Sequence, residues 1–277
     1  MDKKVLRISF VWWFDKAGLV FDNWRDGLRS ALEIIAKKHR LGWYLDKTYP
    51  DLKDSDFILL WDDSNSEFFN LIDKFPCPKG LCLTTMPQNI DNLRKVNVVF
   101  CESQPVYEAV RSYGIHTIKA FGTDTDFFKP DNKVPKDIPY FYPATFSPWK
   151  RQDELADLGS NLYLVGTIQP DGLDIYQRCA NRGCIIEVGY FPATKIRKMY
   201  QRAEQVVIPA IHGSERTCLE AMSTDLLPLV VHPTNDKLFS FIKELNESGI
   251  KSPREFVIKN YSHREYAKAL LSGIEYK

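Results

Sequence analysis

Short apolar runs alternate with amphipathic stretches along the first half of the chain. VLRISFVWWF (5–14) reads as a strand, and WRDGLRSALEIIAKKH (24–39) sets Leu28, Leu32 and Ile35 at helical spacing. DFILLWDD (56–63) predicts a strand, SEFFNLIDKF (66–75) a short helix and GLCLTT (80–85) another strand. VNVVFCES (96–103) is followed by the helical PVYEAVRSYG (105–114), where Pro105 suits a first turn and Gly114 a stop. HTIKAF (116–121) is a further strand. Repeated β–α–β units of this kind predict a parallel sheet with helices on both faces.

The alternation restarts after KPDNKVPKDIP (129–139), whose three prolines and many charges read as a linker. YFYPATF (140–146) and NLYLVGT (161–167) lead to the helical DIYQRCANRG (174–183) and the strand CIIEVGY (184–190). The helix TKIRKMYQRAE (194–204), the strand QVVIPA (205–210), a helix around Glu220 and the strand LLPLVVHP (226–233) follow. The tail, SHREYAKALLSGIEYK (262–277), is a last amphipathic helix. The expected fold class is α/β, with two Rossmann-like domains at 1–125 and 126–277 and a cleft between them. The last helix, about 262–275, could pack back on the N-terminal domain. Ligands of such sheets sit beyond the C-terminal ends of the strands.

Composition narrows the classes of partner. A hydrophobic fraction of 44% and a charged fraction of 26% are those of an ordinary soluble protein. A net charge of +1 argues against a dominant polyanion-binding surface, which needs clustered Lys and Arg, and leaves room for a local basic patch. No apolar run approaches the length of a membrane span, and Arg7, Ser9 and Asp15 break the N-terminal run, against a signal peptide. The six cysteines lack zinc-type CxxC spacing and lie mostly in apolar surroundings. The expected home is a reducing cytoplasm.

PAIHGSERTCLEAMSTDLLPLVV (209–231) is strand, polar loop, helix and strand. The loop places backbone N–H groups at a helix N-terminus, with Ser214 or Thr217 as caps, and Gly213 permits close backbone approach. Unpaired N–H groups at the positive end of a helix dipole suit a phosphate. Glu220 falls between Leu219 and Ala221, about one turn in, where a carboxylate can accept the two vicinal hydroxyls of a ribose. The alternative is a charge on an exposed helix face.

This segment resembles the donor-site stretch of GT-B glycosyltransferases, close to glycosyltransferase family 4. The LEAM run matches directly, and Glu220 takes the place of the family's second glutamate, which holds the nucleotide ribose. The first glutamate falls on His212, so the chain departs from the family there, with Glu215 as a carboxylate that could replace it. Asp225 stands where the family has a glycine after the helix. AFGTDTDFFKP (120–130) is similar to the family's domain junction, and PATFSPWKRQDEL (143–155) to its diphosphate clamp. In that clamp Lys150 matches the family lysine, Thr145 stands at the family arginine, and Arg151 could restore the second charge. VGYFPATKIRKMYQRAEQVVIPA (188–210) is similar to the stretch whose loop, here Tyr190 and Phe191, meets the nucleobase. The likeness spans roughly residues 96–231.

The resemblance implies a GT-B fold with a reduced N-terminal domain. It implies retaining transfer of a sugar from a nucleoside-diphosphate sugar to a hydroxyl, with no metal and no cofactor. Lys150, Arg151 and Thr145 would lie at the diphosphate with Gly213 and Ser214, Glu220 at the ribose, and Glu215 or His212 at the catalytic, sugar end. The loop 12–24 would lie on the acceptor side, with Trp13, Lys16 and Gly18. The acceptor stays open among a glycan, a lipid-linked sugar, a protein and, in a viral setting, a hydroxymethylated DNA base. Two DxD triplets, Asp54-Ser55-Asp56 and Asp124-Thr125-Asp126, would suit a metal-dependent GT-A transferase. The second is better explained by the domain-junction motif. The missing first glutamate, Thr145 and the sparse glycines of loop 12–24 also fit a nucleotide-sugar- or glycan-binding module without turnover.

Overall fold

A computed structural model describes residues 4–12, 25, 27–45, 52–61 and 66–275. They divide into two compact units: 4–12, 27–122 and 261–275 in the first, and Arg25 with 123–260 in the second. In chain order the first contributes β1 (Arg7–Trp12), α1 (Gly27–Ala36), β2 (Arg40–Leu45), β3 (Phe57–Trp61), α2 (Ser66–Ile72) and β4 (Lys79–Leu83). It continues with α3 (Ile90–Leu93), β5 (Val98–Cys101), α4 (Gln104–Arg111) and β6 (Thr117–Lys119). The second contributes β7 (Ile138–Pro143), β8 (Leu162–Gly166), α5 (Leu173–Asn181), β9 (Ile185–Val188), α6 (Ala193–Arg202) and β10 (Ala203–Ile208). It closes with α7 (Glu215–Ser223), β11 (Leu229–Val230), α8 (Asp236–Ser248) and α9 (Pro253–Asn260), after which α10 (His263–Ile274) belongs to the first unit again.

The first unit is a six-stranded parallel sheet in the order β2-β1-β3-β4-β5-β6. Strands β3 and β5 are continuous apolar runs, as is β4 after Lys79, because helices cover both faces. On one face Leu28, Leu32 and Ile35 of α1 join Tyr266, Ala267 and Leu270 of α10 over Phe10, Leu59 and Phe100. On the other, Phe68, Phe69 and Ile72 of α2 and Val106 and Val110 of α4 pack on Ile58, Leu60, Leu81 and Val99. The tail helix is therefore part of this core, although about 140 residues of the second unit precede it.

The second unit is a five-stranded parallel sheet in the order β11-β10-β7-β8-β9. Its core centres on Tyr200 of α6, which meets Phe141 and Phe128 edge to face at 5.2 and 5.9 Å. Segment 129–139, expected as the linker, lies inside this unit and is not the hinge. Gln201 donates to the Lys129 carbonyl, Lys136 to the Ala203 carbonyl, and Arg202 pairs with Asp137 at 2.7 Å. These bonds pin a proline-rich, charged stretch that composition alone reads as a spacer. The sequence reading also passed over β2, a half-exposed edge strand, and over α8 and α9. The strand expected over 226–233 shrinks to two residues.

Because Leu270 is fully buried between α1 and the sheet, Leu270→Ala is expected to destabilise the first unit by about 2–5 kcal/mol. The check is the urea midpoint of the transition reporting on that unit. An unchanged midpoint would mean that α10 is not part of its core.

Candidate functional site

In the second sheet the first strand, β7, lies beside the fourth, β10, and the chain order reverses between them. Such a switch point opens a crevice beyond the strand ends. Here the segments after the two strands meet, with the Ile211 N–H donating to the Trp149 carbonyl at 3.0 Å. A pocket of about 350 Å³ occupies the crevice. Gly166, at the end of β8, forms part of its wall: a Cβ there would lie 2.2 Å from the Ala144 carbonyl oxygen. That missing side chain lets residues 144–145 cross the strand end. The Thr145 hydroxyl lies 3.0 Å from that of Thr167, a polar but uncharged pair on the same wall.

Lys150 reaches across the crevice. Its Nζ donates to Ser214 Oγ at 2.9 Å and lies 3.4 Å from the His212 carbonyl oxygen. It also sits 2.6 Å from where a Cβ of residue 213 would be, and Gly213 has φ +75°, so both space and backbone call for glycine. Ser214 follows with φ +74°, and Arg151, with φ +52°, is another non-glycine residue in the left-handed region. Backbone strain of this kind concentrates at functional sites. Ser214 occupies the N-cap position of α7, yet its side chain does not cap the helix. Its hydroxyl is held by Tyr142 at 2.7 Å and by Lys150, while the Thr217 hydroxyl donates to the Pro143 carbonyl. The expected caps are thus directed elsewhere, and the first turn of α7, which lines the pocket, is not capped by Ser214.

Glu220 lines the same pocket from α7 and is 7% exposed. It faces the core side of the helix because the buried Tyr200 hydroxyl stands beside it in hydrogen-bonding contact. Burial and then the neighbouring Glu220 charge push the Tyr200 phenol well above its ordinary pKa. The exposed-face alternative is excluded. Glu215, also in the wall, lies 2.5 Å from Lys237 Nζ of α8, and both side chains are at most 10% exposed. His212 points less into the pocket than its neighbours and is absent from its lining. Burial, then Lys237, lowers the His212 pKa, which favours the neutral imidazole.

Tyr190 and Phe191 line the far end of the pocket, where Lys195 Nζ stands 4.1 Å from the Phe191 ring centroid. The structure therefore brings Thr145, Lys150, Tyr190 and Phe191 into one crevice with Gly213, Ser214, Glu215 and Glu220. It turns Arg151 away to Glu154, which His232 also contacts. Trp13, Lys16 and Gly18 lie outside the described residues. The sequence reading missed three cations. Arg25 and Arg216 stand in the pocket wall, and Lys237 stands behind it. Arg216 adjoins the quoted loop and was legible there. Arg25 needs the tertiary fold, lying 3.8 Å from Asp124 and 5.8 Å from the Phe127 ring centroid. Asp124 accepts the N–H groups of Asp126 and Phe127, a turn-closing role. Asp56 accepts from the Arg7 N–H and from Lys4.

No protein-family model and no curated protein matches the sequence. Solved structures do match. AviGT4, a glycosyltransferase involved in avilamycin A biosynthesis, superposes with a TM-score of 0.64 at 12% identity over 98% of this chain and 97% of its own. An α-glucosyltransferase in complex with UDP and a 13-mer DNA containing an HMU base gives 0.64 at 10% identity over 99% and 100%. A Listeria monocytogenes protein assigned as a UDP-N-acetylglucosamine 2-epimerase gives 0.58 at 10% identity over 98% and 96%. The fold is the GT-B fold. Within this GT-B chain the pocket wall carries Arg25, Lys150 and Arg216 against Glu215 and Glu220, and Lys237 neutralises the first of those carboxylates. These cations, with the helix N-terminus, suit a bound diphosphate.

The His212 ring proton is expected to titrate below the ordinary histidine midpoint of about 6.5 in an NMR pH series on the unliganded protein. A midpoint above that value would contradict the placement of two lysines beside it.

Proposed function

We propose that the chain is a glycosyltransferase that uses a nucleoside-diphosphate sugar, with the second-unit pocket as its donor site. The observation that carries this reading is the convergence of Lys150, the α7 N-terminus and Glu220 on one crevice. Lys150 holds the diphosphate, with Arg25 and Arg216 taking the part first given to Arg151, whose guanidinium is engaged by Glu154. Gly213 and Ser214 shape the turn beneath it, Glu220 accepts the ribose hydroxyls, and Tyr190 and Phe191 border the base. Glu215 stands at the sugar end, with His212 outside the pocket lining.

The chemistry follows from charge. As the bond between the sugar C1 and the phosphate oxygen breaks, negative charge grows on the leaving diphosphate, and fixed cations and N–H dipoles stabilise it there. In retaining transfer the acceptor hydroxyl attacks from the face the phosphate leaves, and its proton passes to the departing phosphate oxygen. A new C1–oxygen bond forms and the nucleoside diphosphate is released. This route needs no strong general base, no metal and no cofactor. For the acceptor, a hydroxymethylated DNA base is the first to test, because an α-glucosyltransferase matched over the full length of both chains is seen with UDP and such a DNA. Glycans, lipid-linked sugars and proteins follow. The neutral His212 and the uncharged Thr145 favour a second reading, a nucleotide-sugar-binding module that does not turn over.

A thermal-shift screen with UDP-, GDP-, ADP- and dTDP-sugars tests the donor site. At least one is expected to raise the melting temperature of the wild type and to lose that effect in Glu220→Ala. No shift with any of them would refute the reading. Binding without product on any acceptor would favour the module, and loss of activity in EDTA would favour a metal-dependent route.

A further inference from the structure

The turn 212–215 presents an inconsistency. A carboxylate is absent at residue 212, where His212 sits among Lys150, Lys237 and Glu215 with its charged form disfavoured. A carboxylate is present three residues on, at Glu215, but it is buried, and a buried charge needs a partner to hold it in place. Lys237 resolves this. Its ammonium, itself 6% exposed as a residue, lies 2.5 Å from Glu215 Oε1. The contact is an ion pair and not a directed hydrogen bond. Oε2 of the same carboxylate lies on the side of the Gly213 turn, 3.9 Å from the position of a Cβ there.

The lysine is itself anchored. It is the second residue of α8, whose N-cap, Asn235, accepts the Leu238 N–H and donates to the Ala210 and Gly213 carbonyls at 3.0 and 3.1 Å. One cap therefore locks the start of α8 to the turn that underlies the pocket. Lys237 does not line the pocket, whereas Glu215 does.

We infer that Lys237 is a positioning residue. It holds Glu215 fixed at the pocket wall, so that Glu215 and not residue 212 accepts hydroxyls of the transferred sugar. This rests on the donor-site reading above. It assigns the sugar-gripping carboxylate to a loop position three residues from the one the family resemblance indicates, and it names the α8 lysine as the group that makes that position usable.

The test is calorimetric titration of the full chain with UDP, GDP, ADP and dTDP and with the four matching glucose nucleotides. The variants are Lys237→Met, Glu215→Gln, Lys237→Arg and the Lys237→Met/Glu215→Gln double. For the preferred nucleotide, the Met and Gln variants are expected to lose about tenfold or more in the ratio of glucose-nucleotide to diphosphate affinity, which cancels any change of pocket charge felt by both ligands; this is the scale of one hydrogen bond to a charged group. Lys237→Arg restores part of that loss, and the double variant is no worse than the Gln variant, since both changes break one unit. Equal loss on both ligands, accompanied by a lower melting temperature, would show a merely structural pair and overturn the inference. Unchanged ratios in all variants would overturn it too, leaving the donor site intact. A wild type that binds none of the eight ligands would remove the donor site and the inference together. If Lys237→Met does not fold, the Gln and double variants carry the same comparison.

Discussion

The parallel pairing of β7 with β10 is the constraint on which the pocket depends. Val206 lies opposite Phe141 in that register, so the two strands end side by side although more than 60 residues separate them. Lys150 is carried in on one strand's following loop and Ser214 on the other's, and their 2.9 Å contact closes the crevice floor. The crossover through β8, β9 and α6 makes this adjacency the outcome of winding the chain both ways from β7. The site is thus a consequence of topology first and of residue identity second.

Residue identity then sets the charge. The Tyr142 hydroxyl, buried and kept neutral, holds Ser214, which in turn accepts from Lys150. Glu215 is balanced from behind by Lys237, and removing one partner of such a buried pair costs about 3–5 kcal/mol. Glu220 is the other carboxylate of the pocket wall, steadied by Tyr200, the residue on which the core of the unit also turns. Core and site share that tyrosine, so packing and substrate geometry are not independent here.

Much of this was legible in the sequence, for identifiable reasons. The apolar runs at 56–63, 80–85, 96–103 and 205–210 announce strands buried on both faces, and they are β3, β4, β5 and β10. Glu220 stands out because a carboxylate breaks a local pattern that otherwise reads as core, and Gly213 because glycine in a polar loop permits close backbone approach. Arg40–Leu45 was not read as a strand because an edge strand with Gly42 and exposed Trp43 lacks a clean alternation. The α8 helix was missed despite Leu238, Phe241 and Leu245 at helical spacing. Arg25 and Lys237 could not be read at all, since their relation to the pocket exists only after distant segments meet. The same holds for the contact of Arg151 with Glu154, one turn along.

The most direct measurement is a crystal structure with the nucleoside diphosphate that stabilises the protein most. It should show a phosphate oxygen within hydrogen-bonding distance of Lys150 Nζ and of the backbone N–H groups at the start of α7, with the ribose hydroxyls on the Glu220 carboxylate. A diphosphate bound away from that turn, or a ribose out of reach of Glu220, would contradict the assignment of this crevice as the donor site.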